Sequence, residues 1–466
     1  MLQKGHNLYI FSETSLLVLS LFCIVMMKIY VMSPTLCVDL HFYIYVIMFT
    51  LDFVQHKRFR LIQFWLLGFV FIILSEMIII SEDGKMLNSY IDSLSYILFA
   101  NDFFLTSYLF YNPPTESYLK VRQITNEKLF NLSAIIFTII YIILHAGLIT
   151  KAIYEGSRGG SSDITSGSGG VDLFAIFFGG LSLLLPALIA MCLKMGNNKN
   201  GILYYIMAIS IIMLQMLGGT RFMLLFAALP FLIVLGVISV NKQSMRRHTI
   251  AVSTMIILAM AANFAKEVRN FGILEYQNKI EYLDDNYPHS FLGNAAREMS
   301  PEGCVKMNRM AMDYFSSHDF HYGKETAFIL YFWIPRSIWK DKPVMLDYWL
   351  IRKYEDVAVN HSSASGFMGE IFADFGYFSL VVLIIWGCVL KRMELYVYKV
   401  FSVKGPILDK VFASSLFPYV FFFIRSPLTS TMQLISVFVI YLLISKFYTK
   451  KEVLYINSSL KIQYMA

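Results

Sequence analysis

Long apolar runs alternate with short polar connections along most of this chain. A helix needs about 17–25 apolar residues to cross a bilayer, and windows of that kind fall at Ser15 to Met32, Cys37 to Val54, Leu61 to Ile80, Asn88 to Phe110, Leu129 to Ile149 and Val171 to Leu193. Six more follow at Gly201 to Leu217, Phe222 to Val240, His248 to Phe264, Phe367 to Leu390, Ile407 to Ile424 and Thr431 to Phe447. The pattern therefore predicts an all-α polytopic membrane protein with twelve transmembrane helices. One polar stretch, Asn263 to Ser365, interrupts the alternation and divides the chain into residues 1–262 with nine spans, a large loop over 263–365 with short helices, and residues 366–466 with the last three spans.

Alternate connections differ in basic residues, as they should if the span count is right. One set carries Lys57-Arg58-Phe59-Arg60, Lys120 with Arg122 and Lys128, Lys194 with Lys199, Lys242 with Arg246-Arg247, Lys391-Arg392 through Lys410, and Lys446 with Lys450-Lys451. The other set has only isolated Lys85, Lys151, Arg158, Arg221 and Arg425. Both termini are then cytoplasmic, and the long polar stretch faces outward.

Within that stretch, Ser300-Pro301-Glu302 predicts a helix start before Val305 to Phe315, with Ser as cap and Pro in the first turn. Ala327 to Trp333 is apolar but too short to span, and is expected at or in the membrane interface.

Composition agrees with this layout. The chain is 57% hydrophobic and 15% charged, with a mean hydropathy of +0.58, outside the range of ordinary soluble domains. The net charge of +7 follows from basic cytoplasmic loops and gives no reason to invoke nucleic acid. Cys23, Cys37, Cys192, Cys304 and Cys388 are scattered without zinc or redox spacing, although Cys37 and Cys304 could meet outside the membrane. The apolar run after Lys4 lacks a small-residue cleavage site and reads as an uncleaved first span.

Chemistry is sought where ionisable groups can gather away from lipid. Gly218-Gly219-Thr220-Arg221 puts a guanidinium at the mouth of a helix pair, suited to a phosphate or equally to lipid headgroups. Arg336, Lys340 and Lys342 lie between Pro335 and Pro343 with Trp333 and Trp339 as anchors, a rigid cationic cluster that suits a lipid diphosphate or simply tethers the loop. Arg269 is a further cation in the stretch, and Arg158 sits in a Gly/Ser-rich loop that is a connector or a gate. Candidate bases are Glu370, Asp374 and His361. The two carboxylates are four residues apart on one helix face, where they are either used or paired with an arginine. Asp284-Asp285 has no further ligand at metal spacing.

Ile334-Pro335-Arg336-Ser337-Ile338-Trp339-Lys340-Asp341-Lys342-Pro343 and Gly366-Phe367-Met368-Gly369-Glu370-Ile371-Phe372-Ala373-Asp374-Phe375-Gly376, with Gly-Gly-Thr-Arg opening a late span, resemble the Wzy family of O-antigen and capsule repeat-unit polymerases. Lys340 departs from that family's usual proline before the aspartate. The resemblance implies a metal-independent, inverting membrane glycosyltransferase of GT-C type in the bacterial inner membrane, needing no cofactor. It would move a growing glycan from undecaprenyl diphosphate onto another lipid-linked repeat unit on the periplasmic side, with a chain-length regulator as partner. Arg221, Arg336, Lys342, Arg269 and Arg158 would be its diphosphate ligands, and Glu370, His361 or Asp374 its base. An O-antigen ligase shares topology and chemistry, and a flippase shares the span count.

Overall fold

The computed structural model describes residues 2–82, 87–114, 118–145, 173–195, 201–218, 221–242, 244, 246–247, 249–254, 257–258, 261, 290–299, 303–334, 338–356 and 363–455. They form a mostly helical protein. In chain order come α1 (Leu2–Lys28), α2 (Pro34–His56), α3 (Leu61–Glu82), α4 (Leu87–Phe110), β1 (Tyr118–Ile124), α5 (Glu127–His145), α6 (Leu173–Met195), α7 (Gly201–Gly218) and α8 (Arg221–Leu235). After these follow α9 (Phe291–Met299), α10 (Cys304–Phe315), α11 (Lys324–Tyr331), α12 (Leu346–Tyr354), α13 (Gly366–Phe375), α14 (Ser379–Ser402), α15 (Asp409–Phe423), α16 (Pro427–Tyr448) and β2 (Thr449–Tyr455).

Among the described residues, six segments are long and apolar enough to cross a membrane: Phe11–Lys28, Pro34–His56, Leu61–Glu82, Glu127–His145, Gly366–Ser402 and Pro427–Tyr448. Shorter apolar helices occupy Gly180–Met195, Gly201–Gln215 and Met223–Leu235. Helix α4 is the instructive case. It carries Asn88, Asp92, Asn101 and Asp102 and packs against α1, α10 and α14. Neighbouring helices supply the partners that lipid cannot, and Asp102 accepts from Ser20 Oγ (2.6 Å) and Tyr45 OH (2.9 Å). Of the ninth apolar window, only scattered residues are described, and those are helical.

The apolar run beginning at Phe367 is not one helix. It breaks at Gly376, whose φ of +56° suits glycine and whose Cα faces the Phe320 ring so closely that a Cβ would lie 2.5 Å from it. Everything before the break, from Gly366 to Asp374, is buried. Beyond it, α14 packs along α4, where Gly387 brings the two backbones together against Phe104 O.

Other expectations need adjusting. Cys37 and Cys304 are both buried thiols that form no disulfide, one beside His41 and the other beside the Arg425 carbonyl. The helix predicted before Val305 begins at Cys304; Ser300, its expected cap, lies outside the described residues. Its first amides, Val305 N and Lys306 N, instead donate to the Glu76 carboxylate of α3, each at 3.0 Å. The apolar segment after Lys324 is α11, with Phe328 and Phe332 packed on Leu428 of α16 while Leu330, Trp333 and Ile338 are exposed.

Two strands also depart from the all-α expectation. β1 and β2 pair antiparallel from Tyr118↔Tyr455 to Ile124↔Thr449. The ladder ties the connection after α4 to the end of α16.

Candidate functional site

The polar cap is fastened to the bundle by an exchange between α11 and α13. Asp374 Oδ1 accepts from Glu325 N (2.9 Å), and its Oδ2 accepts from Thr326 N (2.8 Å) and Thr326 Oγ1 (2.6 Å). Two orphan amides at the start of α11 are thereby satisfied. In return, His321 N and Tyr322 N donate to Ala373 O and Asp374 O, both at 2.9 Å, closing the end of α13. Asp374 is thus committed as an acceptor that joins two helices.

Glu325 continues the chain of contacts. Its Oε1 meets His321 Nδ1 at 2.9 Å, and its Oε2 accepts from Leu346 N at 3.2 Å, which fixes the start of α12. The next residue, Asp347, is buried near Arg425, which follows α15 and precedes α16. The entry to α13 is held by that same connection, since Gly366 N and Phe367 N donate to Arg425 O (2.9 Å) and Ile424 O (2.8 Å). One turn further lies Glu370, buried, with Ser365 Oγ donating to its Oε1 at 2.6 Å. The carboxylates of Asp347, Glu325 and Asp374 are close enough to act on it electrostatically.

Four carboxylates and Arg425 therefore converge where α11, α12 and α13 meet the α15–α16 turn. Burial pushes the Asp347 carboxyl up to about 7; the Arg425 charge opposes this and Glu325 reinforces it. The folded protein then binds a proton that the unfolded chain releases at lower pH. The resulting stabilisation is full below about pH 4 and is lost as pH rises through about 7. Thermal unfolding of wild type and Asp347→Asn across that window should show wild type losing ground to the variant. Parallel profiles would remove Asp347 as a titrating group.

Lys342 is buried, and its Nζ donates to Phe332 O and to Ile334 O (3.0 Å), 5.2 Å from the centre of the Phe328 ring. It fastens the turn after α11, a job the sequence did not disclose. Arg158, Arg269, Arg336 and His361 lie outside the described residues. Arg221 opens α8, whose Phe226 stacks on Phe422 (5.0 Å) and whose Met223 meets Gln433 (3.7 Å). The start of α8 is therefore at the same end of the bundle as Arg425.

Asp347, Glu325 and Arg425 were missed from sequence. Arg425 had a signal like that of Arg221, a lone arginine in a short connection between apolar runs. The two acids lie in the polar stretch with nothing in their spacing to set them apart.

No protein-family model, curated protein or solved structure matches this chain.

Proposed function

We propose that this chain is a multi-pass enzyme of the bacterial inner membrane that polymerises undecaprenyl-diphosphate-linked repeat units into O-antigen or a related surface polysaccharide. In this reading twelve spans leave both termini cytoplasmic, and the 263–365 stretch covers the periplasmic end. The observation that carries the reading is the enclosed group of carboxylates beside Arg425, at the bundle end where α8 also begins. A base and a cation held together, which this reading puts at the headgroup plane, match a reaction whose leaving group is a lipid diphosphate.

Glu370 would accept the proton of an acceptor sugar hydroxyl as that oxygen attacks the donor anomeric carbon. The bond from that carbon to the diphosphate breaks with inversion, and undecaprenyl diphosphate leaves carrying the electron pair. Arginines, with Arg221, Arg336 and Arg425 as the choices and Arg269 and Arg158 as further cations, would bear the developing charge. His361 is the alternative base. Lys342, already engaged with carbonyls, would shape the site more than bind phosphate.

The test is lipopolysaccharide banding after deletion of the gene and complementation with wild type, Arg221→Ala, Arg336→Ala or Arg425→Ala at matched membrane levels. Deletion should leave lipid A core capped by a single repeat unit, with long bands restored by wild type and not by the arginine variants. Uncapped core would point to a ligase or a flippase.

A further inference from the structure

The ribbon of β1 and β2 takes no part in the site, yet it gathers charge from two distant parts of the chain. Lys120 lies on β1 and Lys128 near the start of α5, while Lys446 is on the last turn of α16 and Lys450 and Lys451 are on β2. All five are exposed, and none has a hydrogen bond or ion pair from its side chain among the described residues. The register sets Arg122 directly opposite Lys451, an arrangement that costs stability unless the charge is met. Asp409 meets it on one side only, accepting from Arg122 Nη1 (3.3 Å) and Arg122 N (2.6 Å). With the Gln123 amide turned so that its nitrogen faces Glu452, it donates to that carboxylate at 2.8 Å, and Glu127 is an exposed acid next to Lys128.

Position supplies the second observation. β2 starts at Thr449, directly after α16 ends at Tyr448, so the ribbon cannot sit more than a residue away from the end of an apolar helix long enough to span. Thr125 N to Tyr448 O (3.1 Å) and Ser133 Oγ to Tyr448 OH (2.7 Å) hold it there. Phe447 is 71% exposed, and Val453 and Tyr118 are also open. An apolar fringe with lysines and no linker belongs in the headgroup layer.

We propose that the β1–β2 ribbon is a binding platform for anionic phospholipid headgroups, whose phosphates supply the counter-charge that the protein itself omits. The inference stands independently of the glycan chemistry. The full-length protein in nanodiscs of phosphatidylcholine, alone or mixed with phosphatidylglycerol, gives the test by thermal unfolding. The anionic lipid should raise the wild-type midpoint by about 5 °C at low salt, an effect that high salt removes. Lys120→Gln/Lys450→Gln/Lys451→Gln should lose most of that rise, and the corresponding triple Lys→Arg variant should keep it. A glutamine variant that retains the full rise overturns the proposal. So does soluble polyglutamate that reproduces the rise in phosphatidylcholine alone, since the ribbon would then fit an acidic polypeptide. If the glutamine variant does not fold, the wild-type salt dependence decides, and a rise that survives high salt refutes the platform.

Discussion

Arg60→Ala should destabilise the bundle by about 3–5 kcal/mol, the cost of leaving buried carboxylates without their cation. Arg60 is only 4% exposed and holds α2, α4 and α14 together at once. Its Nη1 binds Asp52, its Nε and Nη2 reach Glu394 Oε1 at 3.0 and 2.9 Å, and its Nη2 also donates to Tyr108 OH at 2.7 Å. Tyr108 OH in turn donates to Glu394 Oε2 at 2.6 Å, and Gln63 Nε2 donates to Asp52 Oδ2 at 2.7 Å. Removing the guanidinium strands two acids, so Arg60→Ala/Asp52→Asn/Glu394→Gln should recover much of the loss. Lysine is a poor substitute, because one ammonium cannot serve carboxylates and a phenol in a fixed fork. Unfolding temperatures in detergent would decide the matter. An Arg60→Ala protein as stable as wild type would mean the network contributes nothing net.

On the proposed function, with Glu370 as the base, Glu370→Ala should reduce glycan polymerisation by roughly 10²–10⁴-fold, the usual range for losing a general base. Glu370→Gln is the sharper variant. It keeps the side-chain shape and an oxygen for Ser365 Oγ, yet cannot take a proton. Chain elongation with purified lipid-linked units in liposomes, at matched unfolding temperature, separates chemistry from folding. Full activity of the glutamine variant would eliminate Glu370 as the base and leave His361. Asp374→Asn makes a useful contrast, because an amide oxygen still accepts from one amide at the start of α11. Its effect should appear mainly in stability.

Apolar runs were legible because span length is a strong signal, and each described run is helical. Their number as membrane crossings was less so, because a helix such as α4, wrapped by α1, α10 and α14, tolerates Asn101 and Asp102. The break at Gly376 was hidden for a similar reason. Hydropathy records that Gly366 to Ser402 is apolar but not that Phe320 leaves room only for glycine there. Glu370 and Asp374 stood out in the sequence as carboxylates in an apolar helix, and both are buried, but they were not told apart. Their roles depend on Ser365 for one and on the first amides of α11 for the other, and the latter are about fifty residues away in sequence. The β ribbon was missed because Tyr118 to Ile124 and Thr449 to Tyr455 have no partner until the fold brings them together.

The interrupted helix also bears on how the chain enters its membrane. Gly366–Ser402 is 37 residues long, or about 55 Å as one helix, against a hydrocarbon core of about 30 Å. α14 has 24 residues, yet its uncharged part ends at Leu390, before Lys391, Arg392 and Glu394, so the stretch after the break is shorter than a full span, while α13 is folded against α10 and α11. The acids of α13 should then weigh on how this segment enters the membrane as well as on the fastening of the cap, so the membrane level of each Glu370 or Asp374 variant is read beside any change in its function.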